Sequence, residues 1–288
     1  KIKHTNMAFF NKNTVFVIAE AGKNFITLDP FFHSENYLDN AKGLAAAAKL
    51  LGCNAIKFQT HVFEDESKFR SKERWNWIKK NEELTPYTKF WVPLKKYCDE
   101  IGIMFMTTPM SRMAANKIND LVYLYKIGSG NVTDFDLLDC IAKTRKPVIL
   151  STGMSTEKQI DEAVKILSLN ELALLHCVSI YPCPVEKLNL ATIEYLQKKY
   201  QKVTGFSDHS KNVETPKLAI QLGARIIEKH FTLDNNAWGP DHRMSMSIQD
   251  FKEMMKIIET TKLYMFSYGK SEKVVTDEEQ ALWSKFRV

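Results

Sequence analysis

Eight short apolar runs punctuate the chain, and each stops at polar residues suited to handling charge: 15–21 (VFVIAEA), 55–61 (AIKFQTH), 103–109 (IMFMTTP), 123–130 (YLYKIGSG), 147–153 (PVILSTG), 172–179 (LALLHCVS), 204–210 (TGFSDHS) and 225–233 (RIIEKHFTL). Each run suits a strand buried on both faces, and a helix-length amphipathic stretch precedes the next. That alternation predicts an α/β fold of parallel strands, and eight units predict a closed (β/α)8 barrel of the TIM type in a single domain. In such a barrel the C-terminal strand ends share one mouth, so their polar residues converge there.

The intervening segments carry helix signals. Leu38, Ala41, Leu44, Ala45 and Ala48 fall at helical spacing within 36–51, and Gly52 follows as a stop. Gly102 and Gly223 are expected to end helices in the same way. Thr156-Glu-Lys-Gln159 matches a capping box, and a helix is expected over 248–262. The connection 62–86 is longer and more charged than the others and follows a strand at the mouth, where it reads as a lid. The expected division is an N-terminal extension (1–13), a barrel (14–265) and a C-terminal tail (266–288) that forms no further unit.

With 288 residues, one barrel of roughly 250 residues accounts for nearly the whole chain. The balance of 44% hydrophobic and 26% charged residues excludes long disorder, and no apolar stretch is long enough to cross a membrane. Without a secretory signal the chain reads as cytoplasmic. Its five cysteines are odd in number and lack CxxC spacing, as expected of packing residues in a reducing compartment. The net charge of +6 comes from scattered lysines and arginines with no basic block, which argues against a nucleic-acid partner but favours an anionic substrate.

Residues two apart on a strand share a face, so Lys57 joins Gln59, Ser207 joins His209 and Glu228 joins His230, while Asp208 and Lys229 point the other way. His209 and His230 close successive strands, which places two imidazoles within reach of one open metal site; separate hydrogen-bonding histidines are the alternative. Lys57 and Lys126 lie inside apolar runs, and burying an ammonium is costly unless an anion meets it. Thr108, Ser129, Ser151, Ser179 and Ser207 add hydroxyls from five strand ends, although Ser129 and Ser151 also suit helix caps. Gly128, Gly130 and Gly153 would allow close backbone approach. Glu20 either pairs with Lys57 or serves as a base. Asp241 also suits a turn and Tyr181 also suits packing.

Taken together, IAEAG (18–22), IKFQT (56–60), YKIGSG (125–130), PVILSTGMS (147–155), LLHCVSIYPCP (174–184), GFSDHS (205–210), IIEKHFTLD (226–234) and GPDH (239–242) resemble the phosphoenolpyruvate-dependent sialic acid synthases, makers of N-acetylneuraminate, legionaminate and pseudaminate. The resemblance implies a transferase that condenses phosphoenolpyruvate with an open-chain N-acetylated hexosamine and releases phosphate by C–O cleavage. It implies that His209 and His230 hold a divalent metal, usually Mn2+, with Mg2+ or Co2+ as alternatives, and that the metal binds the aldehyde oxygen. Lys57, Lys126, Thr108, Ser129, Ser151 and Ser207 match positions that hold phosphoenolpyruvate, and Ser179 stands where some members have Asn. Glu20 matches a carboxylate near the reacting centre, and Gln59, Tyr181 and Asp241 match sugar contacts. A homodimer is also implied.

Three departures qualify the match. Asn131 follows the GSG where members using N-acetylmannosamine commonly have Glu, so a charged sugar contact becomes neutral. The first loop, GKNFITLDP, lacks the His and Asn-Gly frequent in the family. The family's small C-terminal antifreeze-like domain, which places an arginine in the partner's site, has no counterpart before Val288. Two other readings stand beside the synthase: a related enzyme acting on a phosphorylated aldose, for which the strand ends offer no second basic cluster, and a non-catalytic sugar-binding barrel, against which the retained histidines and lysines argue.

Overall fold

A computed structural model describes residues 9–11, 13–26, 36–239, 241–265 and 274–286. The first eight residues and residue 12 of the extension, residues 27–35 of the first loop, residue 240 of the GPDH turn, and residues 266–273 and 287–288 of the tail lie outside the described residues.

The eight runs form eight parallel strands: β1 (Phe16–Gly22), β2 (Ala55–Thr60), β3 (Met104–Pro109), β4 (Tyr125–Ile127), β5 (Val148–Ser151), β6 (Leu172–Cys177), β7 (Val203–Asp208) and β8 (Ile226–His230). They pair in the order β3-β2-β1-β8-β7-β6-β5-β4, and β3 and β4 lie side by side to nearly close the ring as a (β/α)8 barrel. The helices are α1 (Tyr37–Leu50), α2 (Phe63–Glu66), α3 (Lys72–Leu84), α4 (Val92–Ile101), α5 (Arg112–Ile118), α6 (Phe135–Thr144), α7 (Glu157–Ile166), α8 (Thr192–Tyr200), α9 (Thr215–Gln221) and α10 (Ile248–Met265), with two short helices, α11 (Asp277–Ala281) and α12 (Trp283–Phe286), exposed in the tail. None of the described helices is long and apolar enough to cross a membrane.

Local signals act as expected. Asn36 caps α1, the Thr156–Gln159 capping box opens α7, and Gly102 ends α4 at φ +70°, a conformation that favours glycine.

Two apolar layers result from the strand alternation. Outward residues such as Val17, Ile56, Phe58, Phe105, Leu150, Leu174 and Ile227 pack against the helices. Inward residues Ile18, Ala55, Met106, Leu124, Ile149, Ala173, Leu175 and Ile226 form a smaller cluster inside the barrel, with Phe9 and Phe10 packed against it. The backbone amides of Phe9 and Phe10 donate to the Glu171 carboxylate at 2.8 and 2.6 Å, so part of the extension is tied to the barrel. One step of the alternation further along seven of the eight strands, the inward layer turns polar: Glu20, Lys57, Thr108, Lys126, Ser151, Ser207 and Glu228. The barrel is an apolar plug below and a charged floor above.

Candidate active site

The mouth encloses a cavity of about 320 Å³ lined by every residue predicted for the site: Glu20, Lys57, Gln59, Thr108, Lys126, Ser129, Asn131, Ser151, Ser179, Tyr181, Ser207, His209, His230 and Asp241. Strand register explains the gathering, since Glu20 sits opposite both Lys57 and His230, Gln59 opposite Thr108, and Ser207 opposite Glu228.

At the floor, two ammonium and two carboxylate groups interlock. Lys57 Nζ lies 2.5 Å from Glu20 and 3.7 Å from Glu228, and donates to Thr108 Oγ1 at 3.1 Å. Lys126 Nζ donates to Ser151 Oγ at 2.7 Å and lies 3.8 Å from Glu228, whose carboxylate accepts from Ser207 Oγ at 3.0 Å. Pairing of Glu20 with Lys57 is thus present, and Gln59 donates to the same carboxyl at 3.3 Å. Burial would raise both carboxyls, with different outcomes. Glu20 is pushed up to about 7 because burial and the nearby Glu228 outweigh Lys57. Glu228 is held at about 2 because Lys126, Lys57 and the Ser207 hydroxyl overcome its burial. Glu20 is therefore the floor group that exchanges a proton near neutrality.

Glu228 was not among the predicted site residues. Its signal was available, since it shares a strand face with His230. Its counterparts Asp208 and Lys229 do point outward, forming a buried pair at 2.6 Å behind the barrel wall.

Around the floor, Ser129 Oγ accepts from the Gly153 amide at 3.1 Å and touches Cys177 Sγ at 2.9 Å, while Ser179 Oγ is buried without a partner. Neither Ser129 nor Ser151 caps an α-helix; Asp134 caps α6 and Thr156 caps α7. Among the three strand-end glycines, only Gly153 is sterically required: a Cβ there would lie 2.6 Å from Ser179 Oγ, whereas at Gly128 and Gly130 it would meet nothing closer than 3.7 Å. All five cysteines are free, and Cys177 touches the site through Ser129.

The two histidines lie side by side with ring centroids 5.8 Å apart, and the Tyr181 ring sits 4.1 Å from His209. His209 Nδ1 donates to the Val178 carbonyl at 2.7 Å, which leaves Nε2 with its lone pair; His230 Nδ1 is buried without a partner. Burial lowers both, His209 to about 4, so both rings are neutral at physiological pH. Neutral imidazoles with uncommitted nitrogens fit a divalent cation with two protein ligands, and among the described residues no group of three or more His, Cys, Asp or Glu completes a closed cage.

Asn131 is buried, but its amide is engaged: Nδ2 donates to Met110 O and Asp134, and Oδ1 accepts from Arg70 at 3.3 Å. It therefore presents Arg70 to the mouth. Arg70, together with Arg74 of α3 and Lys23 after β1, lines the cavity and escaped the strand-end reading because all three lie outside the strands. The 62–86 connection lends Arg70 and Arg74 to the mouth; Asp65 accepting from Met113 N and Trp77 stacked on Trp238 at 5.8 Å hold it to the barrel, and Glu82 accepting from Phe63 N ties it internally.

A family model for the NeuB family matches residues 44–270. The chain belongs to the NeuB family. Relatives include the N,N'-diacetyllegionaminic acid synthase of Campylobacter jejuni, 34% identical over 82% of this chain and 73% of that protein. The human N-acetylneuraminate-9-phosphate synthase is 32% identical over 84% of this chain and 69% of its own length. A solved structure of the N-acetylneuraminic acid (sialic acid) synthetase from Leptospira borgpetersenii serovar Hardjo-bovis, in complex with citrate, superposes with a TM-score of 0.84 at 32% identity, covering 99% of this chain and 97% of that one. As a NeuB family member the protein is a transferase of the sialic acid synthase type, a phosphoenolpyruvate-dependent synthase of sialic-type acids.

Proposed function

We propose that this NeuB family barrel condenses phosphoenolpyruvate with an open-chain N-acetylated hexosamine, N-acetylmannosamine or a diacetamido-hexose, to give a nonulosonic acid and phosphate. The observation that carries the reading is the polar inward layer, in which two buried lysines and a ring of hydroxyls face two neutral histidines across one cavity. Lys57, Lys126, Thr108, Ser129, Ser151, Ser179 and Ser207 hold phosphoenolpyruvate, the unpartnered Ser179 hydroxyl being free to donate to it. Gln59, Tyr181, Asp241 and the Asn131–Arg70 pair face the sugar. His209 and His230 would hold a divalent metal, Mn2+ by preference, which supplies Lewis-acid polarisation of the aldehyde when bound.

C3 of phosphoenolpyruvate attacks the aldehyde carbon, the aldehyde oxygen takes up a proton, and C2 is left electron-poor. Water adds at C2, and Glu20, poised near neutrality, accepts the water proton. The C2–O bond to phosphate then breaks and the C2 hydroxyl becomes the ketone. Lys57 positions Glu20, and Glu228 holds both lysines in place.

The test is phosphate release and product mass with phosphoenolpyruvate, Mn2+ and a panel of N-acetylated hexosamines, with the bridging oxygen labelled so that C–O cleavage delivers the label to phosphate. No phosphate from any acceptor, with a chelator making no difference, would sink the reading.

A further inference from the structure

Seven strands place a charged or hydroxyl side chain in the inward polar layer, and β6 places a thiol there. Its inward apolar positions are Ala173 and Leu175, so the next step of the alternation falls on Cys177, in register with Ser207 of β7. Cys177 is 5% exposed and stands one side chain back from the mouth. Its Sγ lies 2.9 Å from the hydroxyl of Ser129, a lining residue of the cavity.

Ser129 Oγ has one proton to give and two lone pairs to fill. The Gly153 amide donates to one of them at 3.1 Å. Burial pushes the Cys177 thiol up, against Ser129 and Lys126, so the thiol keeps its proton at physiological pH. Two orders of the Ser129–Cys177 contact are then open. If Ser129 donates to sulfur, a weak acceptor, its proton is spent on the wall and the hydroxyl turns only a lone pair to the mouth. If Cys177 donates to Ser129, both lone pairs are filled and the serine proton is left for the cavity. An ionised phosphate or carboxylate brings acceptors alone, so a bound anion selects the second order.

We propose that Cys177 is a positioning residue: its S–H donates to Ser129 Oγ and, with the Gly153 amide, turns the serine hydroxyl proton toward the anion in the mouth. Close packing over Gly153 confines the contact. A Cβ on that glycine would lie 2.7 Å from Cys177 Sγ and 2.8 Å from Ser129 Oγ, so neither group has room to swing across it. This inference rests on the reading of Ser129 as a phosphoenolpyruvate contact.

Calorimetric binding of phosphoenolpyruvate and steady-state phosphate release are compared for the parent, C177A, C177S, S129A and C177A/S129A, with thermal melts to establish folding. C177A is expected to weaken binding and raise the KM for phosphoenolpyruvate by roughly three- to tenfold, the worth of one neutral hydrogen bond, with kcat changed by less than about twofold. Serine keeps a donor at 177, so C177S should return to within about twofold of the parent. In the S129A background, loss of the thiol should change binding by less than about twofold, because the hydroxyl it orients is gone. A C177A protein that binds as the parent does, a C177S protein as weak as C177A, or an equal loss in both backgrounds overturns the proposal, the last assigning Cys177 to packing alone. The two readings fail separately. A parent that does not bind phosphoenolpyruvate, or an S129A protein that binds it as tightly as the parent, removes Ser129 from the substrate and the role of Cys177 with it. Impaired binding in S129A beside intact binding in C177A overturns the role of Cys177 alone.

Discussion

Replacing Gly153 by alanine tests the phosphoenolpyruvate cradle at one atom. The added Cβ would lie 2.6 Å from Ser179 Oγ, 2.7 Å from Cys177 Sγ and 2.8 Å from Ser129 Oγ, all inside the closest approach that real side chains show. Each contact is with the end of a side chain that can rotate about χ1, so the barrel should fold with an overpacking cost of about 1–3 kcal/mol. The two hydroxyls, however, can no longer point where they do now. A hydrogen bond to a charged group is worth about 1.5–3 kcal/mol, so two of them give at least about 3 kcal/mol, or roughly a hundredfold rise in KM for phosphoenolpyruvate. The assay is phosphate release against phosphoenolpyruvate concentration at saturating acceptor, with a thermal melt to establish folding. A folded G153A protein whose KM stays within about threefold of the parent, or whose loss lies entirely in kcat, would show that Ser129 and Ser179 do not hold this substrate.

Four further substitutions address the floor and the histidines. Glu20→Gln removes a carboxyl that burial pushes up to about 7 from an ordinary value of 4.5, so the folded state keeps a proton that the unfolded chain releases between those pH values. Stability from this group is present below 4.5 and is lost as pH rises to 7; the urea midpoint of E20Q should therefore gain on the parent across that window, and a constant difference would contradict the assignment. Lys57→Met strips the closest cation from two buried carboxylates and should cost about 3–5 kcal/mol at pH 8, less at pH 5 where Glu20 takes a proton, as read from urea unfolding; a variant as stable as the parent at pH 8 would refute the pairing. His209→Gln and His230→Gln should each weaken Mn2+ binding by roughly tenfold or more in a spin-resonance titration, and unaltered binding in both would remove the metal from this pair.

Much of this was legible because strand periodicity is local. A residue's parity along a strand decides which face it takes, so Lys57 with Gln59, Ser207 with His209, and the opposite pair Asp208 and Lys229 could be placed before any coordinates. Parity also pointed to Glu228, but only the assembled barrel showed it between two lysines contributed by β2 and β4. Which carboxyl stays ionised was not legible, because it depends on distances among four groups from four strands; Glu20 and Glu228 share a residue type and a burial, yet the first is pushed up and the second held down. The need for glycine at 153, but not at 128 or 130, likewise follows from side chains that reach it from β6 and the β4 turn.

By itself the sequence determined the eight units, the inward polar layer and the family, since these depend on alternation and contiguous motifs that each segment carries alone. Only the tertiary structure decided what surrounds that layer. The Asn131 amide that lines the cavity also holds Arg70, and Lys23, Arg70 and Arg74 gather at one rim, because residues between the strands lie outside the strand alternation and acquire a direction only from the elements against which they pack.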